Sequence, residues 1–317
     1  MSYSRPTQLL RQFLEGPVTR PALMRWRRQQ FLSGEGFASY SGVFRSFEQA
    51  RQSLPASPEF DNEALTQEYV SVRTRKVFAY DYPVLWWLAK AFKNGGCDVL
   101  DIGGSVGVHF HAYQLFLDLP KGLRWTVAEV PAVARVGRRL ASERQADSLV
   151  FSTDLNDALA RSDADIWIAA GSLQYLENPS IALLLRRSRR RPQHIILNKL
   201  PLYAGDSFVT TQNLGGHCFA PVHVFNRNEL IDSIVAEGFL LRDEWAVHER
   251  SLYLPGFWER SLPCFTGLYF VSEMNEVQVG GPKRMRQARV NIPGDQHLRL
   301  RRYSPSSRNR TRPVCSS

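Results

Sequence analysis

From residue 98 onward, short apolar runs alternate with segments of helical character. The runs are "DVLDI" (98–102), "RWTVAE" (124–129), "SLVFS" (148–152), "DIWIAA" (165–170) and "HIILNKL" (194–200), and the helical segments between them cover 106–117, 132–144, 155–161 and 179–188. Strands separated by helices of about 10–15 residues are βαβ units, which assemble a parallel sheet. The runs are rich in Val, Ile and Leu rather than strictly alternating, as expected when both sheet faces are covered. After 201 the pattern changes. Residues 203–222 are Gly/Asn/Thr-rich and read as a loop. "NRNELIDSIVAEGF" reads as a helix with Asn226 as N-cap and Gly238 at its end, and "LLRDEWAVHE" and "CFTGLYFVSE" as a closing strand pair.

The region before 98 reads differently. Residues 4–33 form two short helices around "EGPVTRP", the second being the basic, amphipathic "ALMRWRRQQFL". "SGEGFASYSG" (33–42) reads as a linker, and "SFEQA" places Ser46 as an N-cap with Gln49 three residues on, a capping-box spacing. Residues 52–62 are a Pro/Ser-rich loop and 63–93 are helical, with "YPVLWWLAKAF" (82–92) apolar nearly all round and hence expected to be buried. The expected organisation is a basic helical extension (1–36), a helical cap (37–97), an α/β domain (98–272) and a disordered basic tail (273–317).

With 317 residues and 44% hydrophobic content the chain supports a sizeable core. Its net charge of +10 is concentrated at the end, where 274–317 carries about ten Lys/Arg against two acids. No zinc-finger or RRM-like signature accompanies that charge, so a specific nucleic-acid partner is not expected. Weak peripheral association of the basic N-terminus or tail with anionic membrane is compatible with it. Cys97, Cys218, Cys264 and Cys315 are far apart, without C-x-x-C or metal spacing. A reduced, cytoplasmic protein is expected, with neither a secretory leader nor a spanning helix.

The chemistry is concentrated in "VLDIGGSVGVHFHAYQ" (99–114). Gly-x-Ser-x-Gly at a strand-to-helix turn can be a nucleophile elbow, with Ser105 attacking an ester. It can equally be a turn that lets a ligand lie against the backbone through Gly103, Gly104, Ser105 and Gly107. Asp101 ends the strand before the turn and Glu129 ends the next strand, about 28 residues on. In open α/β sheets ligands bind beyond the carboxyl ends of the strands, and an acid at the end of the second strand accepts hydrogen bonds from ribose hydroxyls. The turn lacks the G-x-G-x-x-G that serves a dinucleotide pyrophosphate, and an acid beside it repels phosphate. A cationic nucleoside without phosphate fits better. S-adenosyl-L-methionine is such a ligand, with its ammonium on the Asp101 side and its ribose on Glu129.

With these residues the chain resembles the class I S-adenosylmethionine-dependent methyltransferases. "VLDIGGSVG" is similar to their glycine motif, with Ser105 in place of the middle glycine. "TVAEV" resembles the second-strand acid motif, "FSTDL" the third-strand motif near adenine, and "DIWIAAGSLQYLENP" the fourth-strand motif and its loop. The resemblance implies an α/β, Rossmann-like seven-stranded, mostly parallel sheet with an antiparallel last strand, and an N-terminal helical cap over the cofactor. It implies adenine contacts from Asp154 and Leu155, and Gly171 and Ser172 beside the methyl group. "YSGVFRSFEQA", "TTQN" and "PVHVFNRNELIDSIVAEGFLLRDEW" extend the resemblance over roughly 37–272 to the LIC12133-type methyltransferases of bacterial polysaccharide gene sets. The reaction expected of the chain is O-methylation of a saccharide, a glycan precursor or another small metabolite.

A hydroxyl acceptor benefits from a general base, and His217 and His223, in the stretch after the fifth strand, are the candidates. His109 and His111 are two apart on a helix and make a poor metal pair, though His109 can reach the turn, and no metal is expected. Asp154 doubles as an N-cap for the helix at 155. "RRSRRR" (186–191) reads as a solvated helix end at the amino edge of the strands. The competing functions are an inactive methyltransferase fold serving as an interaction module in a biosynthetic assembly, a Ser105 hydrolase, and an NAD-dependent enzyme.

Overall fold

The computed structural model describes residues 19–274. In chain order the elements are α1 (Arg20–Leu32), β1 (Tyr40–Phe44), α2 (Phe47–Gln52), α3 (Thr66–Ser71), α4 (Tyr82–Lys93), β2 (Asp98–Ile102), α5 (Val108–Tyr113), β3 (Arg124–Ala128), α6 (Pro131–Glu143), β4 (Leu149–Ser152), α7 (Leu155–Arg161) and β5 (Ile166–Ala170). They continue with α8 (Ile181–Arg187), β6 (His194–Leu200), β7 (Leu202–Tyr203), β8 (Phe208–Gly215), β9 (Cys218–Asn226), α9 (Arg227–Val235), β10 (Phe239–Val247) and β11 (Phe265–Ser272).

The βαβ alternation produces one seven-stranded sheet in the order β10-β11-β6-β5-β2-β3-β4. Neighbouring strands from β6 to β4 pair parallel, while β11 is antiparallel to both β6 and β10. This is the Rossmann-like order with a reversed last strand that is characteristic of class I methyltransferases. Helices cover both faces. One apolar layer joins Leu100, Trp167 and Ile195 to α7, α8 and α9, and the other joins Val99, Ile166, Ile168 and Ile196 to Val84, Leu85 and Leu88 of α4. The order reverses between β2 and β5, so a crevice opens beyond their carboxyl ends.

Local chemistry explains the boundaries. Ser46 accepts from the Gln49 N–H at 3.2 Å, and the Gln49 side chain accepts from the Arg45 N–H at 3.1 Å, one residue before the expected partner. Asn226 caps α9 through the Glu229 N–H at 2.9 Å. The arginines at 186–191 are paired rather than merely solvated. Arg186 and Arg191 engage Glu237, Arg189 engages Asp163 and Arg190 engages Asp165.

Three expectations before and after the central alternation are corrected. The linker at 33–42 contains the start of β1, and 203–222 is mostly strand. β1, β8, β9 and β7 form a second, four-stranded sheet. The polar residues that suggested a loop are buried there and serve the pairing: the Thr210 and Thr211 hydroxyls donate to the Gly42 and Ser41 carbonyls at 2.8 and 2.6 Å. α4 is amphipathic rather than buried all round. Its Trp86 is 59% exposed and partly covered by the Lys90 ammonium 4.7 Å away. α1 packs Phe31 against Phe219 and anchors Arg20 on the Gly256 carbonyl. The helix expected near residue 4 and the expected disorder of 275–317 lie outside the described residues.

Candidate functional site

The crevice at the strand reversal is roofed by the chain before residue 82 and by the second sheet. Together they enclose a cavity of about 940 Å³, near the upper end of the 300–1,000 Å³ usual for ligand sites. Its floor is the turn after β2, the end of β3, and Ala170, Gly171 and Ser172 after β5. Its roof includes Tyr40, Phe60, Tyr69, Tyr80 and Gln212. Of the cap segments expected to cover the cofactor, Tyr40 and Tyr80 reach the cavity, whereas Phe47 and Leu88 are packed in separate apolar clusters.

The floor is shaped by absent side chains. A Cβ on Gly104 would overlap the Asp101 carboxylate, and one on Gly103, which sits at φ 67°, would overlap Ser172. The Gly103 N–H donates to the Ala128 carbonyl at 2.8 Å, tying the turn to the end of β3. Ser105 also has a positive φ of 56°. That conformation directs its N–H to Glu129 Oε2 at 2.9 Å, while the Val130 N–H donates to Oε1 at 2.9 Å. Each Glu129 oxygen therefore keeps a lone pair for the cavity. Burial raises the Glu129 carboxyl to about 7, aided by the charges of Asp101 and Asp61 and opposed by the two backbone N–H groups.

Asp101 is fully buried behind the turn and does not line the cavity. Its carboxylate takes His109 Nδ1 at 2.9 Å and Trp125 Nε1 at 3.2 Å. Asp101, expected on the ammonium side of the ligand, therefore sits one layer back: His109, which does line the cavity, bonds it from the cavity side. A carboxylate only accepts, so His109 Nδ1 carries the proton. In the neutral imidazole that leaves Nε2 as an acceptor.

Gly103, Gly104, Ser105, Glu129, Leu155, Gly171 and Ser172 all line the cavity. Gly107, Asp154, His217 and His223 do not. Gly107 lies against Leu149, and Asp154 is exposed, with its carboxylate capping α7 through the Asn156 and Asp157 N–H groups at 2.7 and 3.2 Å. His217 is exposed at the β8–β9 turn with φ 60°. The His223 ring lies 4.4 Å from that of Phe47, tilted by 33°, with Nε2 on the Glu177 carbonyl at 3.3 Å, and burial lowers its pKa. The expectation that either histidine serves as the base is thus corrected: the β8–β9 turn lines the cavity through Leu214, Gly215 and Gly216, but His217 beyond them is exposed and outside the lining, and the His223 ring is held by Phe47 and the Glu177 carbonyl. Ser105 has no imidazole partner among the described residues, so a nucleophile elbow is not assembled.

The principal residue missed from the sequence is Lys199, at the end of β6. It has a positive φ of 56°, its N–H donates to Asn198 Oδ1 at 3.0 Å, and Asn198 also bonds the Tyr80 carbonyl and Trp245 Nε1. This bracket holds the strained residue with its ammonium in the cavity wall, 5.0 Å from the Tyr80 ring centre and alongside Gly171. Burial lowers the ammonium to about 8, with Arg250 and Arg73 adding to the shift and Asp81 and Asp101 opposing it. A polar pair, Asn198–Lys199, closing an apolar strand next to the reversal is a signal that could have found it. Arg250, which also lines the cavity, follows β10 and carries no local signal.

Among the described residues no helix is long and apolar enough to cross a membrane, and no cluster of His, Cys, Asp and Glu could hold a metal. No protein-family model matches the chain, and no curated protein sequence matches it. Solved structures similar to it include a Burkholderia thailandensis 1,6-didemethyltoxoflavin-N1-methyltransferase with 1,6-didemethyltoxoflavin and S-adenosylhomocysteine bound, at 16% identity over 69% of this chain and 92% of that one, TM-score 0.45. Others are an S-adenosylmethionine-dependent methyltransferase from Mesorhizobium loti (14%, 61% and 98%, TM-score 0.40) and the magnesium protoporphyrin IX methyltransferase of Synechocystis (15%, 78% and 99%, TM-score 0.41). The likeness is one of fold, which the strand order of the central sheet carries independently.

Proposed function

We propose that the chain is an S-adenosylmethionine-dependent methyltransferase acting on a hydroxyl of a saccharide, a glycan precursor or another small metabolite. The observation that carries this reading is Glu129. It is a second-strand acid with two lone pairs facing the crevice, next to a turn in which Gly103 and Gly104 leave no room for side chains. That acceptor set fits the donating hydroxyls of a ribose diol and offers a phosphate only repulsion. His109 Nε2, backed by the Asp101 charge, fits the ammonium of an amino-acid tail. Gly171 and Ser172 then bound the space between cofactor and acceptor. The Ser172 hydroxyl donates to the Ile102 carbonyl, which fixes that wall against the glycine turn.

When bound, S-adenosylmethionine supplies an electrophilic methyl group on a positive sulfur. The chain's contribution is alignment: the acceptor oxygen has to be held in line within an enclosure that limits water, and such positioning supplies much of the acceleration of a displacement.

Calorimetric titration with S-adenosylmethionine and S-adenosylhomocysteine tests the reading. Micromolar binding that Glu129→Ala weakens at least ten-fold is expected. An absence of both heat and thermal shift would overturn it in favour of an interaction module.

A further inference from the structure

Beside Gly171, the cavity wall gathers three cations around one phenol. Arg73 Nη1 donates to the Tyr80 hydroxyl at 3.0 Å, and the Arg250 side chain approaches the same hydroxyl. The Lys199 ammonium lies over the face of the same ring. All four residues line the cavity. Arg73 is partly spent on Glu68, at 3.1 Å, and on the face of Phe78. For Arg250 and Lys199, no carboxylate lies within ion-pair distance among the described residues. The two acids felt most nearby are committed elsewhere. Asp81 receives the Phe78 N–H and the Tyr113 hydroxyl, each at 3.0 Å, and Asp101 is held by His109 and Trp125.

Guanidinium groups only donate, so the Tyr80 hydroxyl, with arginines at its oxygen, has its own proton left to give. The wall thus presents an O–H, a guanidinium edge and an ammonium, all donors, in a partly desolvated space. Such a like-charged cluster is costly on its own and is relieved by an anion.

Resting on the methyltransferase reading, we infer that the acceptor carries an oxyanion, a carboxylate or a phosphoryl group, which docks on Arg250, Lys199 and the Tyr80 hydroxyl while its hydroxyl faces Gly171 and Ser172. The anion would fix the far end of the acceptor, and the charge would offset a cationic cofactor at the other end of the cavity.

The test is titration of the full chain, saturated with S-adenosylhomocysteine, with inorganic phosphate, with glucuronate and with uncharged glucose at constant ionic strength. At least one of the two anions should bind, and glucose at least ten-fold more weakly. Arg250→Gln and Lys199→Met should each weaken the anion roughly ten-fold or more, as expected for a lost charge-assisted hydrogen bond. Affinity for S-adenosylhomocysteine should stay within about two-fold, since neither residue is placed at the nucleoside. Arg250→Lys, which keeps the charge, should retain part of the anion affinity and serves if Arg250→Gln does not fold. Tighter phosphate identifies a phosphoryl-bearing acceptor and tighter glucuronate a carboxylate. Failure of both anions to bind, or anion affinity unchanged in both variants, overturns the inference. If S-adenosylhomocysteine itself does not bind, the methyltransferase reading fails instead, and the same titrations on the ligand-free chain still decide whether the cationic wall takes an oxyanion.

Discussion

Replacing Glu129 by Gln separates the proposed ribose contact from the stability of the fold. In the ligand-free protein burial holds this carboxyl near 7, whereas an unfolded glutamate titrates near 4.5. The folded state therefore binds more protons between those values, and Glu129 contributes stability that is present at low pH and lost as pH rises from about 4.5 to 7. The Gln variant escapes that loss, about 2–3 kcal/mol after allowance for the partial exposure of the group. It also leaves one of the Ser105 and Val130 N–H groups facing an amide NH₂, at a cost of about 1–3 kcal/mol. The two terms nearly cancel, so thermal stability at pH 7–8 should shift little. Ligand affinity should not be spared. Two hydroxyls donating to a carboxylate favour its ionised form, so S-adenosylhomocysteine should bind wild type about ten-fold more weakly at pH 6 than at pH 8. Gln keeps one acceptor, loses about 2 kcal/mol of charge-assisted bonding, and should bind roughly 30-fold more weakly at pH 8, with no comparable pH dependence. The assay is calorimetric titration of both proteins at half-unit pH intervals, with the proton uptake or release read in two buffers of different ionisation enthalpy. Parallel pH curves for wild type and Glu129→Gln would refute the reasoning.

Four further outcomes follow from the geometry. His109→Ala strips the buried Asp101 of a partner and should lower stability by about 3 kcal/mol or more, whereas His109→Asn should recover part of it, both read by urea denaturation. In His109→Asn, affinity should fall more for S-adenosylhomocysteine than for adenosine, and equal losses would show that the imidazole does not face the amino-acid tail. Gly171→Ala adds a Cβ 2.9 Å from Lys199 Cε at a φ of 93°, so it should both destabilise the fold and weaken anion binding, measured by thermal melts and titration. His111 and His194 are buried and held near 4, below the unfolded value of 6.5, so each contributes stability that is lost as pH falls from about 6.5 to 4, about 3 kcal/mol at most. Both His111 nitrogens lack hydrogen-bond partners among the described residues, so His111→Leu should be neutral or stabilising at pH 7 and should flatten the acid limb of a stability–pH curve.

The central sheet was legible because its signals are local. β2 and β6 occupy the expected residues, α7 begins and ends where expected, and Asn226 caps α9 as its spacing implies. Glu129 could be placed for the same reason: the end of a strand is fixed by the strand, and the reversal of strand order aims it at the crevice. Asp101 lies at the end of β2 and His109 reaches the turn, both as expected; that the two pair with each other depends on how the turn folds the helix back, which no spacing rule states. The 203–222 stretch reads as a loop because Thr210, Thr211 and Asn213 are polar. Their burial is stabilised from some 170–180 residues earlier in the chain, by β1 for the two threonines and by the end of α1 for Asn213, so composition within a window does not reveal it. His217 and His223 went with that misreading. Arg250 is brought to the Tyr80 hydroxyl from far along the chain, and nothing in either neighbourhood announces the meeting.

The cavity is built from two sources of different sequence distance. Gly103, Gly104, Ser105, Glu129, Leu155, Gly171 and Ser172 come from one uninterrupted stretch of βαβ units. Tyr80, Arg250 and the paired strands β1 and β8 come from segments flanking it on either side, and Lys199 from its last strand, β6. Under the proposed methyltransferase function, substrate preference can be rewritten by exchanging residues in 37–80 and 199–265, while the half proposed to hold the nucleoside stays as it is. A library confined to the flanks should yield proteins that differ in what they modify and agree in what they use to modify it.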